Sequence, residues 1–146
     1  MSFYRVSGVP NVLPLPGAAS TALVANGMVT VTSGALAKSA STDSVVMGIS
    51  LETRATTDGD YATARPVLVD CPGPRDVLFC DNVVGTLTAA MVGQFMKLSS
   101  TTGISADAGT ATDTPAAYLV LICVGFISAT QGYFMLNGSK LERPAA

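Results

Sequence analysis

The chain has 146 residues, 49% of them apolar and only 12% charged, with a net charge of −2 and neither histidine nor tryptophan. That length suits one domain with a core large enough to fold unaided. The charge content, however, is about half that of an ordinary soluble domain, so apolar surface must be covered by something beyond the chain's own core. The cations Arg5, Lys38, Arg54, Arg65, Arg75, Lys97, Lys140 and Arg143 stand singly, which argues against nucleic acid as a partner, because displacing counterions from phosphates needs them clustered.

Residues 1–22 read as an extended N-terminal arm. Pro10, Pro14 and Pro16 stiffen it and remove amide donors, and apolar side chains are interleaved between them. Phe3, Tyr4, Val9, Val12, Leu13 and Leu15 are the candidate partner-binding residues. Such an arm either lies on a partner's surface, where its stiffness lowers the ordering cost of binding, or folds over its own barrel. With one cation and these prolines, the stretch "MSFYRVSGVPNVLPLPG" does not have the form of a signal peptide.

From residue 23 to 138 helical periodicity is almost absent, while short β-branched runs bounded by Gly, Pro, Asp and Ser recur. The predicted strands are 28–32, 36–38, 45–51, 66–71, 76–80, 95–99, 118–128 and 133–136. Only "TLTAAMVG", Thr86 to Gly93, fits a helical turn or two. The fold is therefore expected to be all-β, a compact β-barrel or β-sandwich with an N-terminal arm. "TTDGDY" reads as a hairpin tip and "CPGPRD" as a forced bend. The tail 139–146 is short and polar. The longest apolar run, Tyr118 to Ile127, is about half of what a membrane-spanning helix needs, so no membrane partner is expected.

Two stretches echo one another. "SGALAKSAS" leads to "VVMGIS", and "VGQFMKLSS" leads to "ICVGFIS". The matched positions are Gly34 with Gly93, Leu36 with Phe95, Lys38 with Lys97, Ser41 with Ser100 and Gly48 with Gly125. Either the echo is an accident of a Gly- and Ser-rich sequence, or the chain contains two pseudo-repeated strand units. In the second reading each unit is a strand pair, and the later glycine lets its longer strand bend or bulge. The second unit carries an insert, "TTGISADAGTATDTPAA", whose small polar residues suggest a surface loop.

No constellation for catalysis emerges. Histidine, the usual base near neutral pH, is absent, "GISAD" lacks the second glycine of a nucleophile elbow, and no phosphate-cradling glycine motif occurs. Asp58 and Asp60 begin a calcium-loop pattern that the following residues do not continue. Cys71, Cys80 and Cys123 read as small buried hydrophobes, and Tyr118, Phe126, Tyr133 and Phe134 as core. Neither enzyme activity, cofactor nor metal is expected.

The order of "NGMVTVTSGALAKSASTDSVVMGIS", "TTDGDY", "PVLVD", "GQFMKLSSTTG" and "VGFISATQGYFMLNG", covering roughly Asn26 to Gly138, resembles the small β-barrel decoration (cement) proteins of tailed-bacteriophage heads. The likeness is a pattern of glycines and strands, and it carries over no binding residue. What it implies is a structural virion protein, assembled in the host cytoplasm. Such a protein binds the outer surface of an icosahedral capsid, commonly as a homotrimer, and bridges major capsid subunits. Symmetric self-association would then hide the apolar stripe from Tyr118 to Ile127. The alternative is a receptor- or glycan-binding β module of a viral tail or cell surface.

Overall fold

The structure, a computed structural model, describes residues 3–43, 45–73, 75–106 and 119–137. Their strands are β1 (Phe3–Arg5), β2 (Val12–Pro16), β3 (Met28–Thr32), β4 (Ala35–Lys38), β5 (Gly48–Ser50), β6 (Pro66–Asp70), β7 (Val77–Cys80), β8 (Val83–Val84), β9 (Phe95–Ser100), β10 (Gly103–Ser105), β11 (Leu121–Ser128) and β12 (Gln131–Leu136). The stretch 86–93 contributes one 3₁₀ turn, Ala89–Met91. Seven strands form one sheet in the order β1-β7-β12-β11-β9-β10-β8, and five form a second in the order β2-β6-β5-β3-β4. The protein is thus an all-β sandwich of two packed sheets.

Alternation places the core. Leu78 and Cys80 of β7, Gly132, Phe134 and Leu136 of β12, and Met96 and Leu98 of β9 turn inward, where they meet Phe3, Leu121 and Cys123. Met28, Val46 and Ile49 from the second sheet complete this cluster, so it is the seam between the layers. The second sheet has a further core of its own. A parallel bridge between Gly17 and Leu36 draws its two edge strands together, and the sheet curls into a roll around Leu15, Leu23, Val29, Leu36, Met47, Val67 and Val69.

The N-terminal segment is extended, as its prolines require, but it is paired rather than loose. β1 antiparallels β7 as an edge of the larger sheet, and β2 antiparallels β6 as an edge of the smaller. Proline is tolerated at Pro14 and Pro16 because an edge strand needs donors on one side only.

Other elements depart from expectation in detail. The insert begins with β10, which pairs antiparallel with β9 and parallel with β8, so its first residues are sheet rather than loop. The rest of the insert, Tyr118 and the tail 139–146 lie outside the described residues. "TTDGDY" is no two-strand hairpin tip. It belongs to a run of consecutive turns, with Asp58 N–H donating to Ala55, Tyr61 N–H to Asp58 and Thr63 N–H to Asp60.

The two echoing units are wired differently. β9 pairs directly with β11, whereas β3 lies between β4 and β5. Their turn glycines do match: Gly34 and Gly93 both take positive φ, +82° and +92°, a region costly for other residues.

Candidate interaction surface

The larger sheet leaves its outer face in solvent, and that face is apolar. Register sets one row across four strands: Tyr4 on β1, Phe79 on β7, Tyr133 on β12 and Gly125 on β11. The ring centroids of Tyr4 and Phe79 are 6.2 Å apart and those of Phe79 and Tyr133 6.1 Å apart, tilted like other favourable aromatic pairs. Gly125 ends the row because a Cβ there would lie 2.8 Å from the Tyr133 ring. It sits at a β-bulge between Cys123 and Gly125 that pushes Val124 outward.

A second row lies beside the first. Val77, Met135, Ile122 and Phe95 are successive partners across β7, β12, β11 and β9. Val6 extends this row, its N–H bonded to the Val77 carbonyl. Tyr4 is 38% exposed, Val6 52%, Phe95 45% and Tyr133 36%, while Phe79, Val77, Met135 and Ile122 are half-buried. None of these eight side chains is charged. Lys97, in outward alternation with Phe95, and Gln131, with Tyr133, flank the face with polar groups.

A second apolar surface lies on the smaller sheet. The face that packs on the larger sheet at Met28 and Ile49 continues past it along β2 and β6. There Val12, Pro14, Pro16, Pro66 and Leu68 face solvent as a ledge, joined by Leu51, whose N–H bonds the Leu68 carbonyl. Val12, Leu51 and Leu68 are each 44% exposed.

The six arm residues divide by alternation. Phe3 is fully buried in the seam, and Leu13 and Leu15 face the inside of the roll. Tyr4 stands on the aromatic face, Val12 on the ledge, and Val9, 84% exposed, in the connection between β1 and β2. Two residues read as core, Phe126 and Tyr133, are exposed instead; Phe134 is core.

A buried ion cluster holds the arm in place. The Arg5 guanidinium donates from Nε and Nη2 to the two Asp70 carboxylate oxygens at 2.9 and 2.6 Å, and from Nη1 to Asp76 Oδ2 at 2.6 Å. Arg5 leaves the larger sheet and Asp70 the smaller, so the fork ties the layers together. The bond to Asp70 holds the Arg5 pKa above its ordinary value, desolvation opposing and Asp76 reinforcing it. At Asp76 burial alone would raise the carboxyl pKa, but the bonds from Arg5 and from the Gly73 N–H outweigh it and the pKa is lowered.

Other acidic groups, Asp58 and Asp60 of the calcium-like pattern among them, are engaged in structure. Asp58 caps the Ala55 N–H, Glu52 accepts from the Leu68 N–H and from Arg65, and Asp60 pairs with Arg65. The Leu68 bond is the main reason that the Glu52 pKa is lowered. Among the described residues no group of three or more Cys, Asp or Glu is placed to hold a metal ion. Among the described residues no helix is long and apolar enough to cross a membrane. A shallow polar cleft of about 410 Å³ is lined by Lys38, Ser39, Ala40, Ser41, Ser99, Ser100 and Thr101, where the two echoing segments meet.

The chemistry this surface offers is therefore adhesion. Burying apolar area, stacking aromatic rings and excluding water are what uncharged sheet faces do. No family model matches the chain, and no curated protein matches it in sequence.

Proposed function

We propose that this is a structural virion protein that binds the outer surface of an icosahedral phage capsid and stabilises it by bridging major capsid subunits. The observation that carries the reading is the pair of separate apolar surfaces on one small chain: the aromatic face of the larger sheet and the Val12–Leu68 ledge of the smaller. A cement must hold two things at once, and two adhesive surfaces on a rigid sandwich meet that need. Many copies on a shell need only modest affinity each, because attachment at one surface raises the effective concentration at the other. The glycan-binding alternative has the exposed aromatics Tyr4, Phe95, Phe126 and Tyr133 in its favour, but two of them lie in a flat ladder rather than around a concave polar pocket.

The test uses matured heads of a tailed phage that lack their decoration protein. Incubated with the purified chain, they should bind it saturably in co-sedimentation and then withstand higher temperature before releasing DNA. Leu68→Lys should weaken binding at least about tenfold, since a buried unpaired ammonium is costly. Heads that neither pellet the chain nor gain heat resistance would remove the proposal.

A further inference from the structure

We infer that the aromatic face of the larger sheet is covered by a second copy of this chain, the two faces packing on one another about a two-fold axis. Three observations converge on a copy rather than a foreign partner.

The first is charge. The eight side chains Tyr4, Val6, Val77, Phe79, Phe95, Ile122, Tyr133 and Met135 span five adjacent strands, β1, β7, β12, β11 and β9, a width of roughly 19 Å at ordinary strand spacing. With no charge in that span, a partner's ionic groups would lose water without gaining a counterpart. An equally uncharged face avoids that penalty, and the chain itself presents one.

The second is area. With aromatic side chains of roughly 200 Å² and the exposures given above, the eight contribute on the order of 450 Å² of apolar surface. A standard interface covers about 800 Å² per partner, of which some 55–65% is apolar. The face thus supplies about the apolar share that one side of such an interface contains, and Lys97 and Gln131 supply a polar margin.

The third is pattern. β7, β11 and β12 are apolar on both faces: Leu78, Cys80, Leu121, Cys123, Phe134 and Leu136 point inward, and Val77, Phe79, Ile122, Tyr133 and Met135 outward. A continuous apolar run marks a strand covered on both sides, and a large apolar patch left in solvent marks an interaction site. Two such sheets pack aligned at roughly 10 Å separation. Contact of a face with its own copy closes at two, unlike the three-fold association that the phage resemblance implies.

The inference gives the aromatic face to a second copy and leaves the ledge of each copy to the shell, so that a pair still presents two adhesive surfaces, and its sedimentation test does not depend on the shell reading. The full chain is run in sedimentation equilibrium from about 1 to about 100 µM. Wild type should distribute as one and two copies. Tyr133→Lys and, on a separate strand, Tyr4→Lys should each raise the dissociation constant at least about thirtyfold, because each would bury an unpaired ammonium against an uncharged face. Their near-ultraviolet circular dichroism should stay native, and Leu68→Lys on the ledge should leave pairing unchanged. A wild type that stays single over the whole range, a mass of three copies, or folded Tyr133→Lys and Tyr4→Lys proteins that still pair would each overturn the inference. Should Tyr133→Lys unfold, Tyr4→Lys decides alone. Wild type pelleted with phage heads separates the two proposals: pairing without head binding removes the shell reading only, and head binding by a chain that stays single removes this one only. If Tyr133→Lys abolishes head binding while wild type stays single, the face belongs to the shell and the two-fold is wrong.

Discussion

Arg5 decides where the N-terminal segment lies. Its guanidinium is shared by carboxylates on both sides of the layer seam, with side-chain exposures of 11% for Arg5, 9% for Asp70 and 19% for Asp76. Removing the cation leaves two nearly buried anions facing each other, so Arg5→Ala should cost about 3 kcal/mol in urea unfolding at neutral pH. The acid dependence follows from Asp76. Its folded pKa lies below the unfolded value of about 3.9, so its stabilisation is fully present above that value and is lost as pH falls through the folded pKa. Urea midpoints of the wild type should fall steeply between about pH 4 and pH 2, and less steeply in Arg5→Ala, where the remaining slope reports groups such as Glu52. The thiols make a second residue-scale case. Burial pushes Cys80 up to about 11 and raises Cys123 and Cys71 as well. A disulfide reagent at pH 7.5 should titrate only Cys71 in the native protein, and slowly, with the other two reacting after denaturation.

At the scale of elements, the turn-rich stretch from Leu51 to Arg65 shows how irregular chain is held without a ladder. Arg54 is fully buried, and its guanidinium donates to the carbonyls of Ala18, Asp60, Tyr61 and Thr63. One side chain thus does the organising that a hairpin's strands would do. Arg54→Met, which keeps bulk but removes the donors, should lower stability by about 2–3 kcal/mol and open this stretch to limited proteolysis before the rest.

Element legibility in the sequence tracks how local the cause is. Alternation in "VLFC" and "PVLVD" placed β6 and β7 within a residue or so, and the apolar run after Tyr118 located β11. β10 and the pairing of β1 and β2 were not legible, because short strands in Gly-, Ser- or Pro-rich surroundings exist through their neighbours. The outward turn of Tyr133 was hidden for a different reason. Strands apolar on both faces carry no polar marker of which side meets water. The low charge content did signal uncovered apolar surface somewhere; its location required the register.

For the whole molecule, pairing through the aromatic face makes stability depend on concentration. Only the folded chain pairs, so mass action adds to its stability. The melting temperature should rise by several degrees between about 2 and 200 µM for the wild type, and stay flat for Tyr133→Lys, in calorimetric scans. The sandwich itself needs no such help to be specified. Its seam and its roll are separate cores, and the Arg5 fork couples them.

The seating of Phe3 bears on the order of events during synthesis. Its ring belongs to the seam cluster that Leu121, Phe134 and Leu136 complete, residues that leave the ribosome long after it does. Until they emerge, the ring has no cavity to occupy and the first strand no finished sheet to join. Completion of the sandwich therefore waits for the late strands, and a chaperone that shields early apolar segments has its longest task at this end of the nascent chain.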